Sequence, residues 1–151
     1  MPSENVSRRV NQQERLKMQG WICGFVDGEG CFSVSIFKNK TTKLGYQTMP
    51  EFVVTQGEKS LNSLKKIKTF FKCGNIFVNR RYDNHKENIY RYCVRNFKDL
   101  QEKIIPFFVD NPLKTAKQKD FIRFKKAISL MERKVHLKNP QRLYANLQKW
   151  R

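Results

Sequence analysis

The sequence predicts a mixed α/β domain in which helices pack on one face of a four-stranded antiparallel sheet. Three observations support this fold class. The chain has 151 residues, 39% of them hydrophobic and 12 of them phenylalanine, which suffices for one buried core. Segments of alternating apolar and polar residues indicate half-buried strands, and apolar residues three or four apart indicate helices. These segments follow in the order helix, hairpin, helix, hairpin, helix.

The first half of the chain contains a helix, a hairpin and a second helix. Apolar positions predict the first helix over residues 12–26. Residues 31–37 alternate strictly, which predicts a half-buried strand. A polar connection carrying Gly45 leads to a second predicted strand over residues 46–56. An apolar stripe then predicts a helix over residues 61–71.

The same order recurs in the second half. Alternation predicts strands over residues 75–79 and 88–95, joined by a turn at Asp83-Asn84. The phase of the last strand stays open, because its aromatic residues suit a core while Arg91 and Arg95 suit an outward face. Apolar stripes predict two further helices, from Phe97 to Phe108 and from Phe121 to Met131.

Both ends of the chain differ in composition from its centre. Residues 1–10 are polar and charged and are predicted to form a disordered tail. Residues 11–151 are predicted to form a single domain, in which residues 132–151 are a basic C-terminal helical extension.

The charge of the chain indicates a polyanionic partner. Thirty-one Lys and Arg residues against 13 Asp and Glu residues give a net charge of +18 and an isoelectric point near 10.0. No apolar run approaches the length of a membrane-spanning helix, and no basic amphipathic helix stands apart from the predicted fold. Nucleic acid is therefore the expected partner, and a membrane is not.

The run from Ile22 to Gly30, ICGFVDGEG, ends an apolar helix in two acids separated by glycine. This run resembles the signature motif of the LAGLIDADG homing endonucleases, with Ile22 at the family's leucine and Glu29 at its second, metal-binding acid. The order of elements over residues 15–131 is also similar to that family, whose fold is then expected here. The motif alone would equally suit an amphipathic helix that ends at a glycine.

The resemblance implies a site-specific endonuclease that hydrolyses double-stranded DNA. Divalent-metal hydrolysis of phosphodiesters requires carboxylates, and Mg²⁺ needs few protein ligands. By resemblance, Glu29 and the Gly28 carbonyl hold Mg²⁺, with Mn²⁺ or Ca²⁺ able to replace it in binding. Gln56, at the end of the second strand, resembles the residue that orders the catalytic water. Lys117 resembles the lysine near the active site, and its alternative role is a phosphate-gripping or solvated lysine.

The sequence predicts a homodimer, because it contains one acid-bearing motif and cleavage of a duplex needs two. Two copies of the first helix would pack across a twofold axis and bind a long, roughly palindromic site. The residues expected at this interface are Gly20, Cys23, Gly24 and Asp27, of which Asp27 is mainly structural by resemblance.

The open face of the sheet is predicted to bind duplex DNA, because a pair of strands fits the major groove. The family resemblance implies the same use. Each residue of the predicted DNA-binding set, taken alone, is equally well explained as a solvated sheet residue. The predicted DNA-binding residues are Ser33, Ser35, Phe37, Lys38, Lys40, Gln47, Asn75, Phe77, Asn79, Arg80, Arg81 and Arg91.

Two alternative functions are compatible with the same sequence. One is an RNA-binding maturase that assists intron splicing on the same fold. The other is a catalytically inactive DNA-binding protein, for which retention of Glu29, Gln56 and Lys117 would be unexpected. No small-molecule substrate is predicted. The family resemblance further implies an intron-encoded protein of an organelle, a mitochondrion or a chloroplast.

Overall fold

A computed structural model describes residues 4–80 and 87–133 of the chain. The first helix, α1 (Glu4–Glu29), passes directly into strand β1 (Gly30–Lys38). A hairpin then leads into strand β2 (Tyr46–Gly57). After a 3₁₀ turn (Glu58–Ser60), helix α2 (Leu61–Phe71) completes the first half.

The second half repeats this order with shorter elements. Strands β3 (Asn75–Asn79) and β4 (Ile89–Val94) form the second hairpin. The following helical run comprises α3 (Phe97–Asp99), a π-helical turn (Leu100–Ile104) and α4 (Ile105–Asp110). Pro106 interrupts the run because it has no N–H to donate to the preceding turn. Helix α5 follows, and its bounds are Lys117–Glu132.

The four strands form one sheet in the order β1-β2-β4-β3, with every neighbouring pair antiparallel. The predicted fold class is therefore confirmed. The register also settles the phase of β4: Tyr92 and Val94 pair with buried residues and are fully buried themselves. Arg91 pairs with Thr55 and Phe77 on the opposite, open face.

Aromatic side chains fill the space between the sheet and the helices. The ring of Phe32 on β1 lies 5.1 to 5.4 Å, centroid to centroid, from four other phenylalanine rings. These belong to Phe52 on β2, Phe108 on α4, and Phe121 and Phe124 on α5. Such a core fixes how the helices sit on the sheet, because close-packed rings tolerate little movement. The position of the α1–β1 junction follows from this packing.

The first helix is longer than the sequence predicted. It begins at Glu4 rather than near residue 12, so the prediction of a disordered tail was wrong for residues 4–10. Residues 6–17 are all exposed, so packing does not hold them in the helix. The physical reason is local: no Gly or Pro occurs from Glu4 to Gln19, and Glu4 in the first turn suits the helix dipole.

Several predicted features lie outside the described residues. They are Arg81, the turn at Asp83-Asn84, and residues 134–151 of the predicted C-terminal extension. Within residues 4–80 and 87–133, no helix combines the length and the apolar character needed to cross a lipid bilayer.

Candidate active site and nucleic-acid interface

The junction between α1 and β1 places an exposed carboxylate at the edge of the sheet. Glu29 is the last residue of α1, and the buried Gly30 begins β1 and pairs with Val54. A Cβ atom on Gly30 would lie 2.6 Å from Cγ1 of Val26 and 2.8 Å from its carbonyl oxygen. Only glycine fits there, and it lets the chain turn from helix to strand without a loop. Glu29 is therefore fixed relative to the sheet.

Asp27 ties the end of α1 to the connection before α5. Its carboxylate accepts hydrogen bonds from the backbone N–H of Lys114 (2.9 Å) and Thr115 (3.2 Å) and from the Thr115 hydroxyl. Partial burial acts to raise the pKa of Asp27, but the bonds from Thr115 and Lys114 and the charge of Lys117 outweigh it and lower the pKa. Asp27 thus acts within its own chain, and its place in a dimer interface stays a prediction.

Lys117 lies at the same helix end as Glu29. It begins α5, and its backbone N–H donates to the hydroxyl oxygen of Thr115 at 3.2 Å. Its ammonium donates to the carbonyl oxygen of Val26, with 3.1 Å between Nζ and O. A cation is favourable there, because the last carbonyls of a helix carry partial negative charge. The structure therefore brings Lys117 to the α1 terminus, although its role in catalysis stays a prediction.

Gln56 lies at the same end of the sheet. Because Gly30 pairs with Val54, Gln56 lies two residues further along β2, level with the end of α1. Alternation puts its side chain on the face that packs against the helices, and the residue is half-buried. Strand register therefore places Gln56 level with the end of α1, and its proposed contact with the catalytic water stays a prediction.

The oxygen atoms at this helix end suit a hard divalent cation. Glu29 supplies an exposed carboxylate, and Gly28 lies in the last turn, where carbonyls have no intrahelical partner. Residues 4–80 and 87–133 contain no group of three or more His, Cys, Asp or Glu side chains that could bind a metal on its own. The residues present therefore fit Mg²⁺ whose remaining ligands are water and phosphate oxygens.

One face of α1 carries a row of glycines. Gly20, Gly24 and Gly28 are exposed, and a Cβ built on any of them meets no described atom within 4 Å. The sequence predicted the first two as contact residues and missed that Gly28 extends the row by one turn. The signal was the four-residue spacing, which places all three on one side of a helix.

Cys23 lies away from this open row. It is half-buried, and its thiol is 3.9 Å from the carbonyl oxygen of Asn111, which accepts a weak hydrogen bond. Burial raises the pKa of the Cys23 thiol, and the nearby charge of Asp27 adds to the effect. The thiol therefore packs within its own chain, and any contact of Cys23 with a second protomer stays a prediction.

Several side chains of the predicted DNA-binding set lie on the open face of the sheet. Register places Ser33, Ser35 and Phe37 of β1 opposite Glu51, Met49 and Gln47 of β2. On β3, Asn75 and Phe77 pair with Cys93 and Arg91 of β4. The exposed residues of the predicted DNA-binding set are Ser35, Phe37, Lys38, Lys40, Gln47, Asn75, Phe77, Asn79 and Arg80.

Asn39 organises the first hairpin, and the sequence did not identify it. Its side-chain amide donates to Oε1 of Gln47 at 2.8 Å, and its Oδ1 accepts from the N–H (3.0 Å) and hydroxyl (2.7 Å) of Thr41. These bonds order the loop that carries Lys40 and also fix the Gln47 amide. The signal available in the sequence was an Asn two residues before a Thr in a polar turn.

Comparison with known proteins identifies the family. The family model described as LAGLIDADG endonuclease matches residues 22–128. The chain therefore belongs to the LAGLIDADG endonuclease family, as the motif predicted. It is 36% identical over 119 residues to an uncharacterised 50.9 kDa protein in ND4 intron 1 of Podospora anserina, covering 78% of this chain and 25% of that protein. It is 33% identical over 124 residues to probable intron-encoded endonuclease 3 of Neurospora crassa, covering 81% of this chain and 22% of that protein. The chain thus spans about a quarter of the length of these curated relatives.

Solved structures share the fold. The homing endonuclease I-TnaI is 34% identical with a TM-score of 0.70, and the match covers 88% of this chain and 97% of that one. I-LtrWI bound to its target DNA is 28% identical with a TM-score of 0.77, covering 87% of this chain and 42% of that one. I-SmaMI bound to uncleaved DNA in the presence of calcium ions is 27% identical with a TM-score of 0.75, also covering 87% and 42%. The fold predicted from the sequence is therefore that of the homing endonucleases.

Proposed function

We propose that this chain is a site-specific double-strand DNA endonuclease that hydrolyses phosphodiester bonds with Mg²⁺. The observation that carries this proposal is the position of Glu29, an exposed carboxylate on the last residue of α1 at the edge of an open sheet. Lys117 is bound at the same helix end. Membership of the family and the names of the relatives support the same activity.

The proposed roles follow from the chemistry of the groups at this end of α1. Glu29 and the Gly28 carbonyl would hold the cation, which when bound activates water and neutralises charge on the phosphate. Mn²⁺ or Ca²⁺ would also bind, because the same oxygen ligands suit them. Gln56 would orient the attacking water, and Lys117 would stabilise negative charge on the phosphate.

The proposed active form is a homodimer. Each chain presents one Glu29, whereas cutting both strands requires two acids. The row formed by Gly20, Gly24 and Gly28 supports this assembly, because helices approach most closely where side chains are absent. Trp21, which is 37% exposed, packs its ring 5.2 Å from that of Phe25 beside the row and would add apolar contact area. Two such protomers would bind a long pseudo-palindromic site.

The proposed ligand of the sheet is the major groove of this DNA site. The net charge of +18 supports binding to a polyanion. Exposed Lys38 and Lys40 on the first hairpin would contact phosphates, while the sheet side chains would meet base edges. The intron-encoded relatives support an origin in an organelle.

Cleavage of a DNA library tests the activity and the role of Glu29 together. The purified chain is incubated with Mg²⁺ and fragments of randomised sequence, and the cut ends are sequenced. Glu29→Gln should lower the cleavage rate at the recovered site by about two orders of magnitude or more, with DNA binding retained. Glu102→Gln, an exposed acid in the helical layer, makes the same charge change and should cleave normally. Unchanged cleavage by Glu29→Gln would show that the site is misassigned.

A second candidate function is RNA binding during intron splicing. The exposed rings of Phe37 and Phe77, which are 42% and 48% exposed, favour it because unpaired bases stack on aromatic side chains. Competition between duplex DNA and the intron RNA for the wild-type chain separates the two functions. Preference for the RNA, with no cleavage of any DNA, would favour the second.

A further inference from the structure

One acid of the open sheet face is buried, and this is unusual for a surface that meets a polyanion. Within residues 4–80 and 87–133, Glu51 is the one buried charged residue, with 8% of its surface exposed. It lies on β2 opposite Ser33, so it belongs to the face proposed to bind DNA. A carboxylate there repels phosphates and so lowers the affinity for DNA. Its presence therefore points to another role.

Two arginines of β4 and its end cover this carboxylate. Nη2 of Arg91 donates to Oε1 of Glu51 at 3.1 Å, and Nε of Arg95 donates to Oε2. Each oxygen of Glu51 thus holds a different guanidinium. Arg91 pairs in register with Thr55, four residues along β2 from Glu51, so its side chain extends along the sheet to reach Glu51.

Phe77 holds Arg95 from another side. The guanidinium carbon of Arg95 lies 5.7 Å from the centroid of the Phe77 ring, a cation–π distance. Phe77 is also the register partner of Arg91 across β3 and β4, so its ring lies on the same part of the open face as both arginines. The exposed ring of Phe77 therefore has a role in the free protein, in addition to the base contact predicted from the sequence.

Both guanidinium groups remain accessible. The side chains of Arg91 and Arg95 are 39% and 44% exposed, against 10% for that of Glu51. A guanidinium carries five N–H donors, and the bond to Glu51 uses one from each arginine. An arginine fixed in this way presents donors in a set direction, which suits the paired acceptors O6 and N7 of guanine in the major groove. Contacts to phosphates carry no sequence information, so a fixed pair of arginines contributes to specificity only where it reads bases.

We propose that Glu51 is a positioning residue that fixes Arg91 and Arg95 as a rigid pair for reading guanines in the target site. This proposal rests on the proposed DNA-binding function and adds which residues determine specificity. Loss of Glu51 frees both guanidinium groups to contact phosphates of any sequence. The variant then discriminates less between DNA sequences and binds non-specific DNA more tightly.

Binding-site selection with the full chain tests this role. Randomised duplex DNA is selected by the wild type, and affinities are then measured for the selected site and for single-base variants of it at fixed salt. Arg91→Lys and Arg95→Lys should each relax the preference for guanine at one position by roughly tenfold, because lysine cannot bind both acceptors in a fixed plane. Glu51→Gln should weaken the preference for guanine at the same positions by a similar factor. Its affinity for unrelated DNA should equal or exceed that of the wild type.

Two further variants separate positioning from charge. Glu51→Asp keeps the net charge but is one methylene too short to hold both arginines, so it should lose the same discrimination. Glu102→Gln changes the net charge as Glu51→Gln does but lies in the helical layer, so it should keep wild-type discrimination. Thermal unfolding of each variant checks that the domain remains folded.

The possible outcomes are distinct. Unchanged guanine preference in both Glu51 variants, or equal relaxation at all positions of the site, would overturn the positioning role while leaving the proposed endonuclease intact. A wild-type chain that selects no DNA would instead overturn the proposed function, and the role of Glu51 with it. Relaxation confined to the positions read by Arg91 and Arg95 supports the proposal.

Discussion

Lys117 and Val26 meet at the end of α1, where the lysine ammonium donates to the valine carbonyl at 3.1 Å. The two residues are distant in the sequence, and the bond joins the first residue of α5 to the last turn of α1. It fixes a positive charge beside the turn that carries Glu29. The helix terminus itself gains from this cation.

The first prediction concerns Lys117. Lys117→Met should lower the rate of DNA cleavage by about a hundredfold, because a fixed positive charge at the phosphate is lost. Binding of the target should change much less, since many other basic residues would contact phosphates in the proposed complex. Single-turnover cleavage and equilibrium binding measure the two effects. Lys119→Met, an exposed lysine two residues along α5, is the control, and equal loss in both variants would contradict a role for Lys117.

The second prediction concerns the pH dependence of stability at Asp27. Its pKa is lowered in the folded chain, so the hydrogen bonds to Thr115 and Lys114 stabilise the fold above the ordinary carboxyl pKa of 3.8. Asp27→Asn should therefore lower the free energy of unfolding by about 0.5–1 kcal/mol near pH 7, after allowance for solvent screening. The difference should shrink as the pH falls through the folded pKa, below 3.8.

Denaturant unfolding at several pH values measures this difference. Asp110→Asn, at the exposed end of α4, is the matched control and should show little effect at any pH. A gap between wild type and Asp27→Asn that stays constant down to pH 2.5 would mean that ionised Asp27 does not stabilise the junction.

The third prediction concerns the helix-to-strand junction. Gly30→Ala should destabilise the domain by about 1–3 kcal/mol, because the new methyl group would overlap the Val26 side chain and carbonyl. Any folded fraction should cleave DNA slowly, since relief of the overlap moves Glu29. Thermal unfolding and cleavage per folded molecule measure both effects. Gly28→Ala, which meets open space in the protomer, should leave the unfolding transition nearly unchanged at concentrations where the chain is monomeric.

The fourth prediction concerns dimerisation through the glycine row. Gly24→Leu should weaken self-association by about a hundredfold or more, because a large side chain holds the two helices apart. The helix itself should become no less stable, since leucine has the higher helix propensity. Sedimentation equilibrium with and without target DNA measures the association constant, and circular dichroism measures the helix. Asn11→Leu, at an exposed position on another side of α1, controls for added hydrophobicity.

The oligomeric state measured in solution, with and without target DNA, tests this last prediction. A wild-type chain that remains monomeric even on its cleavable target would contradict the homodimer. Equal self-association of Gly24→Leu and wild type would instead move the interface away from the glycine row.

Much of the fold was predictable because it depends on local pattern. The alternation of residues 31–37 and the apolar stripe ending at Phe71 each reflect one buried face of one element. The extent of α1 was missed because residues 4–10 have no apolar stripe, and helix propensity without burial is a weak signal. The π-helical turn before Pro106 was also missed, because the apolar stripe from Phe97 to Phe108 continues through it.

The sequence by itself predicted the family, which the family model confirms, and it proposed Glu29, Gln56 and Lys117 as site residues and one sheet face for nucleic acid. These follow from a local motif, from alternation and from net charge. Only the tertiary structure decided which side chains meet: Asp27 with Thr115, Lys117 with Val26, and Glu51 with Arg91 and Arg95. The physical reason is that a pairing between distant residues depends on strand register and helix packing. These are set by the whole core and leave no periodic trace in the sequence around either partner.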